Sequence, residues 1–425
     1  LNLSDLILSS PKAGDTSAGI PEILSVVRQH LRMDVAFVAK FEDGKRVYRY
    51  VDAESPDPKI RVGESDLLDE SYCQRVVDGR MPELMTDAQQ HPEASCLISP
   101  ARGPVRAHIS VPLRLSDGTI YGTFCAFSFS PDRSLNERDL ELLRVFADLT
   151  ARIIERMEKQ NKSTREAQER VQAVLTRDLM SVVFQPIWKL GRPTAAGDST
   201  RSIVGLEALS RFSAQPPRSP DVWFHEANVV GLGGALEQLA ARHALDCLDS
   251  IPEPVYLSVN MSPEHVLDDG LLRVLDDLPM SRVILEITEH TAVVAYEELV
   301  EKLQPLRARG LLLAIDDAGA GYASFRHILN LKPDRIKLDM SITKNIDADS
   351  SRRALAAAFA RFAEEIGTTL IAEGVETREE LETLQALGIH GAQGNFLSAA
   401  LPLERALALL SAAHVAAPVP GMRAN

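Results

Sequence analysis

The chain is poor in the features that mark several large protein classes. Only 4 cysteines occur in 425 residues, Cys73, Cys96, Cys125 and Cys247, with no CxxC pair and no zinc-type spacing. That argues against a disulfide framework and a thiolate metal site. Reduced, mostly buried thiols are expected, and a redox-sensing role for Cys73 or Cys125 is the alternative. No apolar run approaches the length of a membrane span. The opening LNLSDLILSSPKAGD has no basic n-region and no signal-peptide core, so a cytoplasmic location is expected. It also lacks an initiator Met, so a trimmed start is expected. Positive charge is in deficit, with 46 Lys and Arg against 60 Asp and Glu and a formal net charge of -14. This disfavours a general nucleic-acid binder, which needs a basic face. It leaves open a nucleotide held through metals.

What is present reads as a globular protein, with 45% hydrophobic and 25% charged residues. The length predicts two domains. In the first, IPEILSVVRQHLRM has helical periodicity, and hairpins are expected to turn at Asp43-Gly44 and Asp117-Gly118. YCQRVVDG reads as a short helix, and LNERDLELLRVFADLTARIIERM as a long one. An antiparallel sheet flanked by helices follows, an α+β sensor-type fold over residues 1–152. Residues 153–178 read as a helical linker. Leu140, Leu143, Ala147, Thr150, Ile154 and Met157 begin a seam of alternating three- and four-residue steps, which predicts a parallel dimeric helix, with a single amphipathic helix docked on its own chain as the alternative. Leu142, Phe146, Leu149 and Ile153 form a second stripe suited to packing on the sensor. His91, His108, His225, His243 and His265 are expected on surfaces, in loops or at caps. Residues 416–425 read as a disordered tail.

The second half, residues 179–415, carries the chemistry. Acidic residues recur where short apolar runs end: Glu207 in GLEALSRF, Glu286 in VILEITE, Asp316 and Asp317 in LLLAIDDAGAG, Glu373 in LIAEGVET. Asn260 in VYLSVNMSP and Lys337 in DRIKLD hold equivalent places. Alternating strands and helices with polar groups at the strand ends predict a (β/α)₈ TIM-like barrel with its site on that rim. Carboxylates crowded on one rim repel one another unless a cation lies between them, so a divalent metal site is expected. A solvated or paired surface acid is the usual fate of any single Asp or Glu. It does not account for acids ending several different strands.

Two resemblances follow from these strings. VPLRLSDGTIYGTFCAFSFSPDRSLNERDLELLRVFADLTARII, and more loosely YCQRVVDG, resemble a GAF domain. FQPI, GLEALSRF, SVNMSP, LEITE, AIDDAGAGYAS, LKPDRIKLD, IAEGVE and AQGNF, in that order, resemble an EAL domain, the cyclic di-GMP phosphodiesterase family. The resemblance implies two Mg²⁺ or Mn²⁺ ions, held by Glu207, Asn260, Glu286 and Asp316, and by Asp316 and Asp317 with Glu373 nearby. It implies inhibition by Ca²⁺. Lys337 would orient the attacking water; Glu207, Asp317, Lys337 and Glu373 are the implied catalytic residues. Gln185, Leu209, Arg211 and Gln393 would contact the substrate. Glu289 would anchor the loop after Asp317. Glu376 is expected to be a supporting or helix N-terminal residue.

The family often has Phe where Ala318 stands. Its aromatic, basic and proline positions near the domain end are occupied here by Asn395, Ala399 and Ala400. These departures bear on substrate affinity more than on metal. The expected function is hydrolysis of cyclic di-GMP to linear pGpG, regulated by a small-molecule or redox input at the GAF-like sensor, in a homodimer. An inactive cyclic di-GMP receptor acting through partners is the alternative. Receptors of that class usually lose the metal-ligating residues, which are retained here.

Overall fold

A computed structural model describes residues 19–55, 60–97, 104–191, 201–267, 274–275, 278–287, 296–319 and 323–413. Glu289 and the expected tail fall outside the described residues. The chain divides into two compact units between Ser163 and Thr164.

The first unit is an antiparallel sheet between helices. Its strands are β1 (Val35–Glu42), β2 (Lys45–Ala53), β3 (Ser65–Leu67), β4 (Leu84–Met85), β5 (Ala107–Arg114) and β6 (Ile120–Ser128), arranged β3-β2-β1-β6-β5-β4. The expected hairpins form. Asp43 and Gly44 both take positive φ, 51° and 70°, as a tight turn between right-twisted strands requires. One sheet face packs Ile109, Val111 and Phe124 against helix Gly19–Leu31 and the start of helix Glu137–Arg177. The other packs Phe37, Cys125 and Phe127 against helix Tyr72–Val77.

Helix Glu137–Arg177 is continuous over 41 residues. Leu140, Leu143, Ala147 and Ile154, expected in a dimer seam, are instead buried in the core of the first unit. Of the second stripe, Leu149 is exposed. The rest of that stripe, Leu142, Phe146 and Ile153, packs on the same core as expected, so residues of both stripes serve the first unit. His108 also departs from expectation: it lies buried in β5 beside Tyr72, because β5 is covered on both faces.

The second unit is a closed barrel of β7 (Met180–Lys189), β8 (Ser202–Phe212), β9 (Tyr256–Met261), β10 (Val283–Ile287), β11 (Leu312–Ala318), β12 (Arg335–Leu338), β13 (Thr369–Ala372) and β14 (Gly391–Ala392). β8 to β14 run parallel, while β7 runs against both its neighbours, β8 and β14. β7 and β8 follow one another in the chain and pair antiparallel, Gln185 opposite Glu207.

Side-chain alternation along each strand builds the interior. On β10, Val283, Leu285 and Ile287 join the shell facing the helices, while Ile284 faces the barrel axis with Tyr256, Ala314 and Ile371. The axis side is therefore apolar at the foot of β10, β11 and β13. The next inward positions, one pleat further, are Glu286, Ser258, Asp316 and Glu373. No described helix is long and apolar enough to cross a membrane.

Candidate active site

Period two puts one inward polar group near the C-terminal end of each of several strands, and parallel register brings them level. Glu286 is paired with Asn260 on one side and Ala314 on the other, and Glu207 with Ser258. From β7, running the other way, Gln185 falls opposite Glu207.

Lys337, on β12, stands at the centre. It is 1% exposed, and its Nζ lies 2.6 Å from Glu373 Oε1, 2.7 Å from Glu286 Oε2, 3.0 Å from Asp316 Oδ1 and 3.1 Å from Glu207 Oε2. The cation that crowded acids require is supplied here by the chain itself. Burial works against the Lys337 charge, but the surrounding carboxylates outweigh it and hold its pKa well above the usual lysine range.

The acids respond differently. Burial opposes the charge of Glu207 too, but Lys337 and hydrogen bonds from Gln393 and Asn260 bring its pKa below the usual value. Those donors are Gln393 Nε2 at 2.5 Å and Asn260 Nδ2 at 3.0 Å. Glu286 is pushed up to about 8, first by burial and then by the charge of Glu207, despite Lys337. Glu373 is likewise raised well above the carboxylate range, chiefly by burial. Environments that push neighbouring carboxyls apart in this way are common at functional sites.

Asp316 and Asp317 are consecutive, so a regular strand would send them to opposite faces. The β11–β12 register is irregular between Ile315 and Ala318, and Asp317 adopts a φ of 53°. This bulge-like break and left-handed residue, a strained geometry typical of functional sites, turn the second carboxylate back. Ligand atoms of Asp316, Asp317 and Glu373 then lie within 4.8 Å of one another, a grouping able to hold a metal ion. Buried Oδ1 of Asn260 and Oε1 of Gln393 have no hydrogen-bond partner. Unpaired buried oxygens beside converging carboxylates suit a hard, oxygen-preferring cation.

The other expected residues lie further out. Arg211 is exposed near the end of β8, with Nη1 donating to Ser210 O at 2.8 Å, and Leu209 is half-buried beside it. Gln185 Nε2 donates to Ser398 O at 3.2 Å. This tethers the variant segment 395–400 to β7, and the Phe184–Leu401 backbone pair fastens its end. Ala318 is buried and leaves the acids in place. Glu376 directly precedes Thr377, the N-cap of helix Arg378–Ala386. His265 is a buried-side partner of Glu237 at 2.9 Å, and His243 pairs with Asp178.

Ser258 was not among the expected residues. Its Oγ donates to Glu286 Oε1 at 2.5 Å. The signal was available: Ser258 lies two residues before Asn260 on one strand, hence on the same inward face.

The EAL domain profile matches residues 167–400, more than half of the chain, and a GAF domain profile matches residues 20–155. The uncharacterized protein y4lL of Sinorhizobium fredii is 32% identical over 247 residues, covering 56% of this chain and 28% of that protein. The cyclic di-GMP phosphodiesterase PA2567 of Pseudomonas aeruginosa is 28% identical over 240 residues, covering 53% of this chain and 39% of that protein. The chain thus spans well under half the length of these two relatives. Among solved structures, the PaMucR phosphodiesterase in its c-di-GMP complex superposes with a TM-score of 0.50 and 26% identity, over 57% of this chain and 99% of that one. On the profile match and the barrel that carries it, this chain belongs to the EAL domain family, with a GAF domain preceding the EAL barrel.

Proposed function

We propose that the barrel unit is a metal-dependent phosphodiesterase that hydrolyses cyclic di-GMP to linear pGpG in the cytoplasm. One observation carries this reading: acids from β8, β10, β11 and β13 converge on one buried point, with Asp316, Asp317 and Glu373 grouped as a cation site. The relative PA2567 and the PaMucR structure, named for this substrate, support the choice of ester.

Glu207, Asn260, Glu286, Asp316, Asp317 and Glu373 would hold Mg²⁺ or Mn²⁺. When bound, these ions supply Lewis acidity toward a phosphate oxygen and make water a better nucleophile near neutral pH. The protein does the rest by position and charge. Lys337 offsets the surplus negative charge and presents its ammonium protons toward the attacking water. Asn260 and Gln393 fix the rotamer of Glu207 through both of its oxygens. Arg211 offers a planar donor fork to a substrate phosphate at the rim. Leu209, Gln185 and Gln393 would line the approach.

The GAF unit is the regulatory input, sensing a small molecule or a redox change, and the working form is a homodimer. Val145 and Leu149, four residues apart on one helix face, are 64% and 42% exposed, which supports a helical contact between copies. Incubation with cyclic di-GMP and Mg²⁺ or Mn²⁺, followed by chromatography, tests the reading. Conversion to pGpG by the native chain and none by Glu207→Ala is expected. Binding without conversion would leave a receptor.

A further inference from the structure

The barrel has a second mouth, at the N-terminal ends of its parallel strands. There Tyr256, Arg335, Thr369 and Gly391 begin β9, β12, β13 and β14, and a cavity of about 350 Å³ opens between them. Ile187, Val204, Ile371 and Ile389 give it apolar walls, Lys189 and Arg335 line it with positive charge, and no acidic residue among the described residues lines it. The volume falls within the range of small-molecule sites, roughly 300–1,000 Å³.

Two polar groups in this cavity are incomplete. Tyr256 is 3% exposed, yet its phenolic oxygen has no hydrogen-bond partner. Arg335 Nε is also buried without a partner, and Arg335 makes no ion pair with any described residue. The guanidinium instead lies 4.5 Å from the centroid of the Tyr256 ring. A Cβ at Gly205 would lie 2.2 Å from Cε2 of that ring, so the glycine leaves the space the tyrosine occupies. Native proteins pair nearly all buried polar groups. An open hydroxyl and an open guanidinium facing an apolar chamber, with no counter-charge among the described residues, fit an incoming anion.

We infer that this mouth is a second ligand site, separate from the carboxylate cage, for a small organic anion with an apolar body. A carboxylate, sulfonate or phosphate monoester would accept from Arg335, Lys189 and the Tyr256 hydroxyl. A ring or branched chain would fill the space between the isoleucines. The site does not depend on the proposed reaction. It is nonetheless built into the same strands: Arg335 precedes Lys337 by two residues, Tyr256 precedes Ser258 by two, and Ile371 precedes Glu373 by two. Each pair shares the inward face.

Isothermal titration of the full chain with 1-naphthoate and with the uncharged 1-naphthamide tests this. One saturable equivalent of naphthoate is expected, with the amide weaker by roughly tenfold or more, as loss of a charge-assisted pair implies. Arg335→Gln should weaken naphthoate to a similar degree, and Glu207→Gln in the cage should leave it unchanged. Should Arg335→Gln fail to fold, Tyr256→Phe removes a single oxygen and should still weaken naphthoate measurably. No saturable binding, equal binding of acid and amide, or loss of binding in Glu207→Gln would overturn the inference.

Discussion

The Lys337 ammonium lies 2.7 Å from Glu286 Oε2, both groups buried, with Glu207, Asp316 and Glu373 also within 3.1 Å of the same nitrogen. In the metal-free chain, this lysine is what allows the cage to close. Removing one partner of a buried ionic cluster leaves uncompensated charge, at a cost of about 3–5 kcal/mol. Lys337→Met should therefore lower the stability of the chelator-treated protein by about that amount in urea denaturation. Added Mn²⁺ should recover part of the loss, because it replaces the missing positive charge. A variant as stable as the native chain in chelator would contradict this role.

Glu286 sets a pH dependence. Its folded pKa is pushed up to about 8 by burial and Glu207, well above the ordinary glutamate range. A carboxyl raised in this way favours the folded state below the unfolded value, and that contribution is lost as pH rises toward 8. Metal-free native protein should lose stability between pH 5 and pH 8.5 (test conditions; about 1.4 kcal/mol at most per pH unit from this group). Glu286→Gln, which cannot ionise, should lose less. Urea midpoints at the two pH values check the sign; parallel losses in both proteins would count against it.

Ser258 holds Glu286 by a 2.5 Å hydrogen bond, leaving one carboxylate oxygen toward Lys337. Groups that orient metal ligands commonly affect affinity by about 10–100-fold. Ser258→Ala should weaken Mn²⁺ binding by about that factor in a calorimetric titration, while its circular dichroism spectrum stays native. Unchanged affinity would show that Glu286 needs no such support.

Calcium should inhibit turnover. Its larger, looser oxygen shell tolerates the cage but misplaces the water that the smaller ions position. Adding Ca²⁺ to a Mg²⁺ reaction should slow pGpG formation. Robust hydrolysis in Ca²⁺ alone would contradict the account.

Much of this site was legible in the sequence, because a strand's two-residue period is written directly in the order of its residues. Glu207, Glu286, Asp316 and Glu373 each sit one pleat beyond an inward apolar or small residue, and that spacing alone places them together. The same period could have identified Ser258. Four features were less accessible. The turned-back carboxylate of Asp317 depends on a backbone irregularity that no residue type in AIDDAG dictates. The reversed direction of β7 is not written in the residues of the strand itself. The burial of Leu140, Leu143 and Ala147 was ambiguous because a seam suited to a partner helix equally suits a sheet. His108 was misjudged because nothing local shows that β5 is covered on both faces.

The account rests on one chain caging a pair of cations at the head of its barrel. Titrating purified, chelator-stripped protein with Mn²⁺ and counting bound ions by electron paramagnetic resonance tests this most directly. Two ions per chain are predicted for the native protein, and at most one for Asp316→Ala, since Asp316 would belong to both ligand sets. No binding by the native chain, or the same stoichiometry in the variant, would contradict the account.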